Sequence, residues 1–422
     1  MPDNGHQRLV LHHVEMTEPA QGFTRVLAAE GASNFGTMLS RLAIPWLATL
    51  VLGATAWQMS LLLMADVVAG ALGSLWLGSV VDRHGKRAVM LTADLMRAVL
   101  LGLIAWAAAT QSLTMAALLL ASAAGALLTV AFELARSAWM AQQLAHAQLT
   151  ASNARLSMVG SLSETAAFAL GGWLYQWWGA VLALLVDAAS YLVSALCLRG
   201  IREAPRVAAA APFAWRHWWQ DTREGLAVLA GNPTLRALAR LQVLTALAQS
   251  VAGTSYMIFV ARDIALPTGV QGMVFATGAL GAVLGAAWAL PLGARWGAPR
   301  TMAYGLALAC VGAACVAAVP GAGLLGVALL VAQQLIGDGG QVMHEVHERT
   351  LRQTAVGPEW LARVDGGIRS VGQLATLAGA VLGGAVATAA GARAALVLYA
   401  CLLAVAALMA LRVPALATSL RR

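Results

Sequence analysis

The succession of long apolar runs limits what this chain can fold into more than any other feature. The runs fall at 24–49, 56–80, 88–108, 114–137, 153–176 and 180–198, and again at 234–260, 269–292, 300–318, 323–346, 363–388 and 391–411. A hydrocarbon core of about 30 Å needs roughly 20 apolar residues per helical crossing. Each run is long enough or nearly so. Continuous Leu, Ala and Val stretches lack the alternation of a transmembrane β-strand, so the crossings are helices. With 60% of 422 residues hydrophobic and 11% charged, a water-soluble fold could not hide the apolar surface. The expected fold is an all-α polytopic membrane protein of twelve transmembrane helices in two pseudo-symmetric six-helix bundles.

Charge orients the helices. Alternate connections carry Arg83, Lys86 and Arg87; Arg136 and Arg155; Arg199, Arg202, Arg206, Arg216 and Arg223; Arg295 and Arg300; Arg349 and Arg352; Arg421 and Arg422. Of the remaining connections, two carry only Arg262 and Arg393 and the others have no basic residue. Basic loops stay inside. The expectation is therefore a cytoplasmic N-terminal tail (1–23), a bundle at 24–198, a cytoplasmic linker at 199–233, a bundle at 234–411 and a cytoplasmic tail at 412–422, in a bacterial cytoplasmic membrane. Glu15 and Glu18 in the polar first segment do not suit a cleavable signal peptide. In the linker, Trp215, Trp218 and Trp219 beside charged residues suggest a helix lying at the lipid surface, ended by Asn232-Pro233. The net charge of +8 is scattered, not gathered into a stripe for nucleic acid. Cys197, Cys310, Cys315 and Cys401 all sit in apolar stretches and suggest no disulfide framework.

The chain repeats itself. Gly85 and Gly297 are 212 residues apart (297 − 85), and in that register Arg83 meets Arg295, Glu133 meets Glu345, and Gly171-Gly172 meets Gly383-Gly384. An even number of crossings per half makes the repeats parallel, with a site between two halves that rock against each other.

Between the second and third runs stands GSVVDRHGKR, Gly78 to Arg87, with a degenerate copy, GARWGAPR, in the second half. Gly78 permits a close neighbour and Gly85 a tight turn, Asp82 suits a helix N-terminus, and Arg83, Lys86 and Arg87 hold the loop inside. The segment resembles the loop signature of the major facilitator superfamily. LTADLMRAVLL (91–101), the stretch 149–172 and VDAASYLVSAL (186–196) look like its drug:proton antiporter branch, which includes macrolide-efflux-like and siderophore-exporter-like proteins. The segments EGLAVLAGNPTLRAL, HERTLRQTAVGPEWLARVDGGIRSVGQLATLAGAVLGG and GARAAL extend the likeness over the second half. The resemblance implies the major facilitator fold, alternating access and proton coupling. The chain departs from that branch at Glu164-Thr165, where Gly-Pro is common, and at Phe132-Glu133-Leu134-Ala135-Arg136.

Charges within the runs are the candidate functional residues, since each costs about 2.5–3.5 kcal/mol at mid-bilayer. Glu164 and Asp338 are candidates to carry the coupling proton. Arg41 and Asp66 should sit at similar height and are read as an ion pair, or as part of coupling or of the outer gate. Asp82 should meet the start of the eleventh helix near Arg363 when the inner side closes. Glu133, Arg136, Arg295, Glu345, Arg349 and Arg363 suggest a charge network beneath each half. Asp94 and Arg97 share one helical face and are read as structural, while Asp187 has no assignable partner. His344 and His347 in HEVHE do not make a zinc-protease pattern, so no metal is expected, and without a Walker A motif neither is a nucleotide or other cofactor. The reading is a monomeric secondary exporter of a small amphipathic substrate, working with protons and in contact with membrane lipids. The alternatives are a dedicated exporter of a siderophore or other secreted metabolite, and a non-transporting receptor or assembly factor. Sparse, dispersed buried charges argue against an enzyme.

Overall fold

The computed structural model describes residues 18–144, 146–201, 223, 227–356 and 358–413, which are helical almost throughout. The helices are α1 (Glu18–Trp46), α2 (Ala56–Arg83), α3 (Lys86–Ala109) and α4 (Met115–Gln143). The long helix His146–Arg199 then breaks at Gly179, φ 77° and ψ −179°, into α5 (146–178) and α6 (180–199). The second half holds α7 (Pro233–Ile258), α8 (Thr268–Trp296), α9 (Ala298–Ala317), α10 (324–354), α11 (Pro358–Ala390) and α12 (Ala392–Ala410). Within α10 the turn Gln333–Asp338 is π-helical. Among the described residues, nine stretches are long and apolar enough to cross a membrane. Three departures from twelve have local causes. α5 and α6 merge into one stretch, α1 carries Glu18, Arg25, Glu30 and Arg41, and α10 turns polar beyond its π turn. The surface helix expected around Trp215, Trp218 and Trp219 lies outside the described residues.

Local chemistry sets the helix ends. Thr55 accepts from the Gln58 amide N–H while Gln58 caps back, a reciprocal box that starts α2. The Asn232 side chain accepts from the N–H groups of Thr234 and Leu235, and Pro233 takes the first turn of α7.

The internal repeat survives in the backbone. α1 ends in a π turn at Leu47–Val51 and α7 in one at Phe259–Asp263, at the 212-residue offset. In both, the same bonds close the turn: Leu52 N to Leu47 O and Ala54 N to Ala48 O, matched by Ile264 N to Phe259 O and Leu266 N to Val260 O. A positive φ follows at Gly53 (63°) and at its counterpart Ala265 (50°).

Packing divides along the chain. α1 lies against α5 and α6, α2 and α3 against α4, and α3 against the α5–α6 pair; α7 lies against α11 and α12, α9 against α10 and α12, and α8 against α10. The halves are joined chiefly by α5 with α8 and α2 with α11, and to a smaller extent by α2 with α7 and by the π turns that follow α1 and α7. At the end with the short, mostly apolar loops, one core crosses the halves, containing Trp46, Leu62, Leu118, Tyr175 and Leu184 with Phe259, Val274, Val316 and Leu330. At the basic-loop end the cores separate, one around Phe132, Trp139 and Leu198, the other around Leu241, Met302, Leu306 and Leu403.

Candidate functional site

The closed end is sealed by direct bonds between the halves. Arg262 donates to the carbonyls of Thr49 and Ala54, at 2.7 and 3.0 Å. Trp46 Nε1 donates to Gln271 Oε1 at 2.8 Å, and the Gly269 N–H to Gln176 Oε1 at 2.8 Å. At Gly172 a Cβ would collide with the Thr268 carbonyl and Gly272, so glycine is required for the close approach of α5 and α8. Arg393 works within the second half, donating to the Val319 carbonyl at 2.7 Å while its guanidinium lies 5.2 Å from the Phe259 ring centroid. Arg262 and Arg393, the exceptions to the orientation pattern, both serve as donors to backbone carbonyls.

Toward the basic end lies a cavity of ≈ 320 Å³ lined by α7 and α10, through Gln242, Thr245, Ala246 and Gln249 on one wall and Gln341, His344, Glu345, Glu348, Arg349 and Arg352 on the other. One helical turn along α10 from that lining, Asp338, the last residue of the π turn, lies within reach of the charge of Glu164 of α5. Asp338 accepts from Gln333 Nε2 at 3.4 Å, and its charge also reaches Tyr256 of α7 and Tyr399 of α12. Phe275 stacks between Phe168 and Tyr256, with ring centroids 5.8 and 5.6 Å away. Neither acid forms an ion pair among the described residues. The sequence singled out Glu164 near the middle of its run and Asp338 past the middle of its own; the structure brings their charges within reach of one another from opposite halves. The π turn that ends on Asp338 packs between α8 and α9, where Gly281 admits the Gln334 carbonyl. Such turns recur at functional positions.

Several sequence expectations are corrected. Arg41 and Asp66 make no ion pair; both side chains are exposed, and Asp66 feels Arg41 only through its field. The expected charge network does not form as drawn. Arg136 pairs with Glu30 of α1 rather than with Glu133. In the second half Arg352 bridges Glu348 at 3.2 Å and Asp365 at 2.8 Å, while Glu345 accepts from Gln341 at 3.2 Å. Spacings of three and four residues would allow the expected pairs, but Arg136 is taken by Glu30 across the helix interface and Glu345 by Gln341. Arg295 is exposed, Arg349 lines the cavity mouth, and the Arg363 side chain lies outside the described residues.

The basic motif is also read differently in three dimensions. Gly85 has an ordinary φ of −62° as the N-cap of α3, and nothing lies within 4 Å of a Cβ built on Gly78, because the basic ends stand apart. Lys86 Nζ donates to the Val81 carbonyl at 2.6 Å, Arg87 Nε to the Leu198 carbonyl at 3.2 Å, and Arg83 is exposed. The Asp82 side chain lies outside the described residues. No group of three or more His, Cys, Asp or Glu among the described residues is arranged to hold a metal.

Asp94 and Arg97 are 0% and 3% exposed and bond at 2.7 Å; Ser194 donates to the other Asp94 oxygen at 2.6 Å. The Arg97 guanidinium lies over the rings of Phe132 and Tyr191, 4.9 and 4.4 Å from their centroids. Asp187, fully buried, accepts from Ser40 and Ser190. Sequence reasoning passed over Gln242, Gln249, Gln333, Gln341, Tyr256 and Tyr399. A usable signal existed in amides within apolar runs, with Gln242 and Gln249 seven apart on one face of α7.

No curated protein matches the chain. Solved structures do resemble it in fold. The nucleoside transporter NupG is 15% identical, with a TM-score of 0.69 over 94% of this chain and 99% of its own. A bacterial homologue of the iron transporter ferroportin in an inward-facing state is 16% identical, with a TM-score of 0.72 over 93% and 98%. A bacterial homolog of the human lysosomal transporter Spinster, inward-facing and unoccupied, is 14% identical, with a TM-score of 0.68 over 93% and 97%. The sequence model of the Major Facilitator Superfamily matches residues 26–332. With apolar helices, a core shared at one end and a cavity opening at the other, this match makes the chain a multi-pass, alternating-access secondary transporter rather than an enzyme: it belongs to the major facilitator superfamily.

Proposed function

We propose that the chain exports a small, dedicated metabolite against its gradient by exchange with protons, and that Glu164 and Asp338 are the coupling acids. The observation that carries this reading is that two carboxylates, one from each half, lie within reach of each other's charge, Asp338 one helical turn along α10 from the polar cavity lining, and neither has a basic partner among the described residues. Two like charges so placed favour binding at least one proton. Because the acids belong to different halves, a change in their protonation alters the force between the moving parts. Each inward-moving proton supplies about 2.3 kcal/mol per 100 mV of membrane potential.

In this reading all twelve helices span a bacterial cytoplasmic membrane as two six-helix bundles, 24–198 and 234–411. The tails and the 199–233 linker lie in the cytoplasm, and the protein works as a monomer. Support comes from the basic loops and from the parallel packing of α1–α6 and α7–α12. The basic end, and so the cavity, then faces the cytoplasm. Asp82 and the start of α11 near Arg363 close that side in the opposite conformation, where Gly78 meets a neighbour. A dedicated cargo is favoured over a broad drug range by the polar cavity wall, and the fold neighbours named above include a nucleoside transporter and a homologue of an iron transporter. The second reading, a proton-coupled exporter of amphipathic drug- or macrolide-like molecules, draws on the sequence resemblance and on the Phe168–Phe275–Tyr256 wall.

The test is proton release and uphill flux in reconstituted vesicles. Glu164→Gln should retain cargo exchange but lose pH-driven accumulation. Undiminished accumulation by a well-folded Glu164→Gln protein removes Glu164 from the coupling.

A further inference from the structure

We infer that the cargo is a small organic cation rich in hydrogen-bond donors, held by the acceptor-lined face of α10. This deepens the reading above and rests on the chain being a transporter with its cargo in this cavity.

The inference starts from two glutamines. Gln333 turns its amide N–H toward Asp338 and Gln341 turns its own toward Glu345, at 3.4 and 3.2 Å. Each amide has thereby committed a donor to a carboxylate, and each leaves its Oε1 covered from solvent and without a partner. Buried amide oxygens are usually satisfied, and one left unmatched is costly. His344, 3% exposed and part of the cavity wall, adds an Nδ1 that has no partner. Unpartnered atoms therefore recur along α10 at 333, 341 and 344, and Gln341 and His344 line the cavity.

The cavity lining itself balances Glu345 and Glu348 against Arg349 and Arg352, whereas beyond it the charge is acidic: the charge acting on Asp338 is that of Glu164. Arg352 is already engaged by Glu348 and Asp365, and Arg349 stands at the mouth. Past the cavity lining a cation meets Asp338 and Glu164, which have no basic partner among the described residues, and the Asp338 charge reaches Tyr256, whose ring adjoins Phe275. Aromatic faces favour such a charge. Donors without charge leave the carboxylates repelling, and charge without donors leaves Gln333, Gln341 and His344 unmet. The arrangement suits a molecule with both, such as an amine bearing hydroxyl or further amine groups, and the ≈ 320 Å³ volume limits it to a small one. Because the same carboxylates would hold the coupling proton, cargo and proton exclude one another.

Binding to the purified full-length protein tests this with four probes: glucosamine and spermidine (charge and donors), glucose (donors only) and tetraphenylphosphonium (charge only). Glucosamine or spermidine should bind saturably and release protons, at least tenfold more tightly than glucose and tetraphenylphosphonium. Gln341→Met, nearly equal in shape but without the acceptor, should weaken that binding about fivefold or more and leave residual tetraphenylphosphonium binding unchanged. Retention of the wild-type melting transition separates this from misfolding; if Gln341→Met fails to fold, Gln333→Met takes its place with the same expectation. The inference is overturned if tetraphenylphosphonium or glucose binds as tightly, if neither donor-rich cation binds, or if the folded variant binds unchanged. Coupling is judged separately by the vesicle assay. Tight tetraphenylphosphonium binding with intact proton exchange sinks the cargo class alone, and donor-rich binding with a fully coupled Glu164→Gln sinks the coupling alone.

Discussion

Arg262 is the single side chain whose removal should most shift the balance between the two faces of the transporter. Its guanidinium crosses from the π turn after α7 to the carbonyls of Thr49 and Ala54, at 2.7 and 3.0 Å. A hydrogen bond from a charged donor is worth about 1.5–3 kcal/mol when protected. Arg262 is exposed, and water competes for the same carbonyls, so the pair together contributes about 1–2 kcal/mol to the closed end. An equilibrium moved by that much changes roughly 5- to 30-fold. Arg262→Ala should therefore open the short-loop end in a large share of molecules without unfolding them. Arg262→Lys should recover only part of the loss, since one ammonium cannot reproduce the fork. The assay is a distance distribution between spin labels at Val51 and Met273, exposed positions on opposite halves, after Cys197, Cys310, Cys315 and Cys401 are replaced. Arg262→Ala should add a longer-distance population; a distribution identical to the parent in a folded protein refutes the reasoning.

Neutralising either Asp94 or Arg97 alone should cost about 3–5 kcal/mol and the double change markedly less, because a lone buried charge is worse than none; melting transitions of the four proteins measure this. Arg41→Gln and Asp66→Asn, which do not touch, should combine additively to within about 0.5 kcal/mol, and a coupling above about 1 kcal/mol would mean that the pair forms. Gly281→Val should drive a methyl into the Gln334 carbonyl and sharply reduce the yield of folded protein, whereas Gly102→Ala, which meets nothing within 4 Å, should be tolerated.

The apolar runs located the helices because lipid demands long unbroken stretches, and the 212-residue offset was legible because glycines and charges recur in register. The π turns at Leu47–Val51 and Phe259–Asp263 were not legible, since they arise from how a helix end fits its neighbours and not from local propensity. Glu164 and Asp338 were singled out separately by the cost of burying charge, but which carboxylates meet depends on the rotation of α5 and α10, information spread over whole interfaces. Arg41 and Asp66 show the reverse error, as equal height in the membrane does not imply equal azimuth. The glutamines of the cavity wall were passed over because an amide in an apolar run carries no charge to draw notice.

The halves differ in mechanical character. In the first, charges and hydroxyls pin α1, α3, α4 and α6 together at Glu30–Arg136, Asp94–Ser194 and Ser40–Asp187. Around α10 in the second, most contacts with α8 and α9 are backbone against backbone, with Gly281, Gly285, Gly305 and Gly312 facing Gln334, Gly339, Gly340 and Gly337, and only His347 and Gln334 add side-chain bonds to α8 carbonyls among the described residues. Polar staples resist displacement in every direction, whereas smooth glycine faces let helices slide at constant separation. A force applied to the cavity wall is therefore absorbed unequally: α1 to α6 move as a stiff plate, and α10 is the compliant spring beside it. Amide exchange should follow that division, slow along α3 and α6 and faster along α10, and should be the part of the molecule that changes most between working conformations.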